Sequence, residues 1–310
     1  MSLGPATPGL HHVSVITGTS AATVRFYRDV LGLALVVRTV NYDDPFMHHL
    51  YFGAPTGTPG TLLTCFPAER GQRGRVGSPQ PTATALSVPQ GSLDYWADRL
   101  DAHGVGVKRG RRFDAPYLSF DDGDGQPLEL IASADDQTTR DGPVPSAYAI
   151  TGLDGVTLAS TSPFQTASVV DALGFDLVAQ EGDRVRYRAD GPRGTVVDVL
   201  DREVPFGREG AGTAHHVAFR FPDEEALAEW HEVLLDDGLE PTYVTDRHYF
   251  QSVYVREPGG ILVELATDGP GVAVEDESDA SGVRLELPPW LADDREMITA
   301  QLPPLDGEGG

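Results

Sequence analysis

Apolar positions along the chain fall into a unit that recurs four times, at intervals of roughly 60 residues. Each copy opens with a short apolar strand, continues through an amphipathic helix stopped by glycine, and closes with further strands. The first copy, LHHVSVITGTSAATVRFYRDVLGL, predicts a helix capped by Ser20, with Val24, Tyr27 and Leu31 on one face and Gly32 as its stop. In the second, TATALSVPQGSLDYWADRLDAHG, Ser92 is the predicted cap, Leu93, Trp96 and Leu100 share a face, and Gly104 ends the helix. The third, LDGVTLASTSPFQTASVVDALG, closes at Gly174. The fourth, AHHVAFRFPDEEALAEWHEVLLDDG, sets Leu227, Trp230 and Leu234 at the same spacing before Gly238. The far ends match too: PGTLLTCF, DGQPLEL, RGTVVDV and PGGILVEL each place a glycine turn before a final apolar strand.

One strand, one helix and about three further strands make a βαβββ module, so the fold class is α+β. Four modules predict two cupped mixed sheets, each built by a pair of them. Residues 8–133 hold the first two modules and 149–268 the last two, with the polar, proline-containing stretch 134–148 as the expected linker. Residues 269–310 begin with EDESDASG, expected to be a flexible loop, followed by LPPWLADDREMITAQLPPL, which is apolar enough to pack back as a short helix.

Superposing the modules exposes two candidate ligand positions in each. The HHV of copies one and four sets His12 opposite His216; copy three has Gly155 there, and Thr82–Val88 of copy two contains no histidine. On the final strands, PGGILVEL over PGTLLTCF sets Glu264 opposite Cys65, while Glu129 and Asp198 take that place in copies two and three. Only modules one and four, paired, collect two histidines and a carboxylate, the facial ligand set that leaves coordination positions open. Modules two and three are expected to form a structural twin without metal. Glu264 lies between Val263 and Leu265, where an ionised carboxylate without a cation or strong donor would cost several kcal/mol. Glu129, in PLELIAS, is expected to face solvent or an arginine such as Arg111.

The repeat together with LHHVSV, HHVAF and GGILVEL resembles the vicinal oxygen chelate superfamily, which implies tandem glyoxalase-like domains. More narrowly, YDDPFMHHLYFGAPTGTPGTLLTCFP, GQRGRVGS and RHYFQSVYVREPGGILVEL resemble the hydroquinone-type ring-cleaving dioxygenases, over about Leu10 to Thr267. The resemblance implies Fe(II), or less often Mn(II), held by His12, His216 and Glu264, and a reaction between O₂ and a small aromatic diol. It also implies roles for Ser14, where threonine is commoner, for His215, and for Arg247 and Tyr254 before the last strand. His248 stands where the family pattern has glycine, so the pocket beside Arg247 is expected to differ.

Chemistry assigns these groups distinct tasks. His215 or His248 could exchange a proton near neutral pH, Arg247 could hold a phenolate, and Tyr254 could hydrogen-bond at an open metal position. Strand alternation turns neighbouring residues to opposite faces, so His215 reaches a site shared with His216 only if the strand is bulged. His11, His48 and His49 are expected to be structural, with pocket lining the alternative for His49. Two other functions stay open: a glyoxalase-type lyase, which needs a second carboxylate where Cys65 stands, and a metal-free binder of an aromatic compound.

Composition narrows the setting. With Cys65 alone, the chain forms no internal disulfide and no cysteine-rich metal site. The N-terminus lacks a basic region followed by an apolar run, so a cytoplasmic location is the expectation. The 47 acidic against 23 basic residues give a net charge of −24. That surface repels phosphate backbones and anionic lipids, which argues against nucleic-acid and membrane partners; a homo-oligomer is compatible with it. The acids are spread along the whole chain, and Lys108 is the sole lysine. Both features fit adaptation to a salty cytosol or a GC-rich genome. Halophily requires the melting temperature to rise between low and molar KCl as self-repulsion is screened, and an unchanged melting temperature in a calorimetric scan would exclude it.

Overall fold

The computed structural model describes residues 4–133, 142–272 and 284–305. Module one comprises β1 (Leu10–Thr17), α1 (Ser20–Val24, continued by a π-helical turn over Arg25–Val30), β2 (Ala34–Asn41), β3 (Asp44–Gly53) and β4 (Leu62–Pro67). Module two comprises β5 (Gln80–Pro89), α2 (Leu93–Ala102), β6 (Lys108–Arg112), β7 (Ala115–Asp121) and β8 (Pro127–Ser133). In module three the elements are β9 (Gly152–Ala159), α3 (Pro163–Ala172), β10 (Asp176–Glu181), β11 (Arg184–Arg188) and β12 (Val196–Leu200). Module four contributes β13 (Thr213–Phe221), α4 (Glu224–Asp236), β14 (Thr245–Asp246), β15 (Phe250–Arg256) and β16 (Leu262–Pro270).

The strands form two cupped mixed sheets of eight, ordered β14-β15-β16-β13-β1-β4-β3-β2 and β10-β11-β12-β9-β5-β8-β7-β6. Module one therefore pairs with module four, and two with three. At each sheet's centre the two first strands run antiparallel, and each lies parallel to the last strand of its own module. That arrangement brings the opening and closing quarters of the chain side by side.

The helices form where apolar spacing meets a glycine stop. Val24, Tyr27, Leu31, Trp96, Leu100, Leu227, Trp230 and Leu234 are all buried in one core that joins both sheets. Gly32, Gly104, Gly174 and Gly238 follow the helices with φ of +73°, +75°, +95° and +76°, the left-handed backbone that glycine adopts without steric cost. The caps differ from expectation. Thr19 rather than Ser20 caps α1, its hydroxyl accepting from the Ala22 N–H, and Ser92 occupies the cap position without making a side-chain bond.

Part of the expected linker, 134–141, and the stretch EDESDASG lie outside the described residues. The described part of the tail packs back as expected. Leu285 and Ile298 bury against Val40 of β2, and α5 (Arg295–Gln301) closes that cluster.

The second sheet has filled its ligand positions with salt bridges. Glu129 is buried and paired through both oxygens with Arg112, not with Arg111, which instead lies 3.7 Å from Asp114 on the surface. Asp198 accepts from Arg184 and Arg186 at 2.8–3.0 Å. Arg111 and Arg112 neighbour each other on β6, where alternation turns only one of them inward. Removing Arg112 would strand a buried carboxylate, so Arg112→Met should lower unfolding stability by about 3 kcal/mol in urea titration while leaving metal content per folded chain unchanged.

Candidate metal centre

The first sheet brings three ligand atoms to one point. Glu264 Oε2 lies 3.0 Å from His12 Nε2 and 2.9 Å from His216 Nε2, and the two nitrogens are 3.2 Å apart. All three side chains are buried. Neither carboxylate oxygen of Glu264 receives a hydrogen bond. Adjacent ligands on an octahedral ion with bonds of ~2.1 Å stand about 3.0 Å apart, so the trio has the spacing of one triangular face.

Two bulges explain why consecutive histidines share this face. The β1–β13 register slips between Leu10 and His12, leaving His11 as the extra residue, and again between Ser14 and Val15, where His215 is the extra residue on β13. His11 Nδ1 then stands 2.9 Å from His12 Nδ1, and His215 Nδ1 stands 2.7 Å from His216 Nδ1. The second sheet slips at the matching residues, Thr82 and Asp154, so the bulges belong to the repeat rather than to the histidines.

Hydrogen bonding fixes the His12 tautomer. Burial and the neighbouring His12 push the His11 pKa down to about 3, so its ring is neutral, and that ring donates to the backbone of Thr267. Its Nδ1 must therefore accept from His12 Nδ1–H, which leaves a lone pair on His12 Nε2. Burial raises the Glu264 carboxyl, but the charge that protons on His12 and His216 would bring outweighs it and holds the group well below the usual range; a divalent cation would supply that charge in their place. Burial lowers His216 to about 4, so it too is neutral at pH 7. A buried anion facing imidazole lone pairs fits a divalent cation and fits little else.

The fourth repeat-related position corrects the sequence alignment. Ser14 pairs with Thr64 two residues beyond His12, as Ala218 pairs with Glu264 two residues beyond His216, so Thr64 rather than Cys65 is the counterpart of Glu264. Cys65 is buried in the apolar core. Thr64 is neutral and already engaged, its hydroxyl 2.6 Å from Ser14 Oγ and 3.0 Å from His49 Nε2. Ser14 itself is fully buried and reaches no cavity.

A cavity of about 600 Å³ opens over the trio, within the usual size of a small-ligand site. His215, Arg247, Tyr254 and His49 line it, along with Phe66 and Phe250. Tyr51 and Tyr254 flank it as repeat counterparts, facing Thr64 and Glu264 across their respective strand pairs. Arg247 lies 3.6 Å from Asp43 and 5.2 Å over the Tyr254 ring, and its buried Nε has no hydrogen-bond partner. Burial first, and then the charge of Glu264, push the Tyr254 hydroxyl well above its ordinary pKa. His248 is not among the lining residues. Its backbone is left-handed, with φ +69°, which accounts for glycine in the family pattern, and its ring stands edge-on to Tyr249, with centroids 4.8 Å apart.

The fold and this site define the class. The glyoxalase/bleomycin resistance protein/dioxygenase superfamily model matches residues 9–130 and 169–265, and the chain belongs to that superfamily. Among curated proteins it is 39% identical to "Putative ring-cleaving dioxygenase MhqO" of Bacillus subtilis, with 97% of each chain covered. It is 33% identical to chlorohydroquinone/hydroquinone 1,2-dioxygenase of Sphingobium indicum, with 94% of each covered. A crystal structure of a dioxygenase so described from B. subtilis superposes with a TM-score of 0.94 at 39% identity, covering 97% of this chain and 98% of the other. With relatives so named over nearly its whole length, the chain is an enzyme of the ring-cleaving dioxygenase class. No helix among the described residues is long and apolar enough to cross a membrane.

The buried neutral histidines set a pH dependence. His11 and His216 have folded pKa values of about 3 and about 4, below their unfolded value, so the unfolded chain binds more protons between those values and about 6.5. Stability is fully present above about pH 6.5 and is lost as pH falls towards 4. Asp122, raised by burial to about 6, and Asp154, also raised by burial, act in the opposite sense, two groups against five lowered histidines, His11, His48, His49, His215 and His216. The metal-free protein should therefore show a falling melting temperature from pH 7 to pH 4.5 by circular dichroism, and a rise over that interval would contradict the neutral-histidine assignment.

Proposed function

We propose that the chain is a non-haem Fe(II)-dependent, extradiol-type dioxygenase that opens the ring of a hydroquinone or catechol-like diol with O₂. His12, His216 and Glu264 would hold the metal, with Mn(II) as the other ion the donor set suits. The observation that carries this reading is the trio's spacing, with a neutral, already bonded Thr64 where a fourth ligand would stand. The opposite side is thereby left for diol and O₂. A glyoxalase-type lyase would need a second carboxylate there to move a proton, and that position has none.

Fe(II), when bound, supplies a Lewis-acid and redox centre able to take a phenolate and O₂ as neighbouring ligands. The protein's part is to bind, orient and manage protons. Phe66, Phe250 and Tyr51 form apolar walls that accept an aromatic ring and exclude water. Arg247 stays positive at every working pH, and its unpartnered Nε can donate to a diol oxygen. His215 accepts from the His216 Nδ1–H at its own Nδ1, so the neutral ring carries its proton on Nε2 and presents an N–H donor to the cavity, placed to hydrogen-bond a diol oxygen. Burial lowers its pKa, which keeps the ring neutral at pH 7. Tyr254, protonated at any physiological pH, presents an O–H donor beside Glu264.

Anaerobic loading with Fe(II), followed by an oxygen electrode, tests the assignment. One O₂ should be consumed per hydroquinone or catechol, and zinc loading should give none. Glu264→Gln and His216→Ala should each lower iron affinity by about 100-fold or more in competition with a chelator. Arg247→Met should retain iron but raise KM roughly tenfold. Iron-loaded protein that consumed no O₂ with either diol, yet isomerised a thiohemiacetal, would overturn the reading.

A further inference from the structure

The described tail, 284–305, belongs to none of the four modules, yet it braces the segment that carries Arg247. Residues 246–250 form a tight turn between β14 and β15. Arg247 N–H donates to Phe250 O, Tyr249 N–H donates to Arg247 O, and the His248 N–H is accepted by Asp246 Oδ1. The turn bends through the left-handed backbone of His248, which costs a non-glycine residue about 1 kcal/mol. Support comes from the tail at two places. The Tyr249 hydroxyl donates to Glu286 Oε2 at 2.7 Å, and the Trp290 ring stands edge-on to His248 with centroids 6.3 Å apart. Trp290 also meets Tyr42, a cavity-lining residue, at 5.5 Å.

The tail is itself anchored to the opposite module. Glu286 N–H donates to Arg38 O of β2, Arg295 donates to Leu285 O, and the His48 ring contacts Pro303 O at 2.9 Å. Glu286 is thus tied to module one by its backbone and to module four by its side chain. It bridges β2 and the β14–β15 turn, the two edges of the first sheet, which share no strand pairing.

We propose that Glu286, acting through Tyr249, is a positioning residue that holds Arg247 in register with the diol. This rests on the functional reading above. The hydrogen bond from Tyr249 to a carboxylate is of the stronger, charge-assisted kind, and its loss frees the turn without touching the metal trio. Trp290 supplies the second brace through His248.

The test uses full-length Fe(II)-loaded enzyme, with hydroquinone as the probe in both steady-state O₂ uptake and anaerobic calorimetric binding. Glu286→Ala and Tyr249→Phe should each raise KM and the anaerobic Kd about tenfold, with kcat changed less than twofold and iron content unchanged. Glu286→Gln, which still accepts a hydrogen bond, should recover most of the loss. In an Arg247→Met background, Glu286→Ala should add nothing, because the two act through one contact. Additive losses, or a Glu286→Ala variant with wild-type KM and Kd, would overturn the proposal. So would a Glu286→Gln variant as impaired as the alanine one, since that pattern marks a general loss of packing. Wild-type enzyme that neither binds nor consumes hydroquinone or catechol would instead overturn the functional reading, and this proposal with it.

Discussion

A single buried carboxylate organises this molecule. Glu264 has no exposed surface, no hydrogen-bond donor on either oxygen, and two imidazole nitrogens within 3.0 Å. Ionised in an apolar strand, it would cost several kcal/mol, and only a cation at the centre of the trio offsets that cost. His12 stands more than 200 residues from His216 and Glu264 in sequence, so the site exists only when module four docks on module one. Folding of the first sheet and assembly of the metal centre are therefore one event. Metal binding should act as folding energy for that sheet.

The second sheet shows what the same scaffold does without a metal. Its bulges fall at the matching register, and its two acids, Glu129 and Asp198, sit in the matching slots. There the compensating charge is covalently attached, as the guanidinium groups of Arg112, Arg184 and Arg186. One geometric problem, a carboxylate at the heart of a cupped sheet, has thus been solved twice. A guanidinium fills and seals its slot; an ion with open coordination positions leaves room for chemistry. On the function proposed above, the asymmetry between the sheets follows from the cation each would hold.

Repetition made much of this legible in the sequence. The four glycine-stopped helices, the pairing of modules one with four, and the convergence of His12, His216 and Glu264 follow from apolar period and residue type, both local and strongly constrained. What escaped depended on single-residue register. Matching Gly60 to Gly259 set Cys65 against Glu264, whereas the left-handed glycines that correspond are Gly60 and Gly260, each four residues before its strand position, so Thr64 is the counterpart. Strand alternation argued against His215 joining His216, and a bulge removes the objection. Arg112 rather than Arg111 meets Glu129 for the same kind of reason, a one-residue choice of face. His248 looked like a proton carrier by residue type, but its left-handed backbone turns it towards the tail.

Symmetry also limits what the repeat can supply. Tyr51 and Tyr254 are related positions that flank the cavity alike, and a site built only from related positions would present two equivalent sides to a substrate. An enzyme that must orient an aromatic substrate against O₂ needs those sides to differ. Thr64 opposite Glu264 breaks the symmetry at the trio, and Arg247 breaks it at the β14–β15 turn. The counterpart of that turn in module one, Tyr42–Asp43, has no left-handed residue, whereas the module-four turn bends at His248, so the restraint on it is not copied from module one. A segment outside the repeat is the natural source of the missing restraint, and the tail, hydrogen-bonded to β2 on one side and to Tyr249 on the other, is placed to provide it.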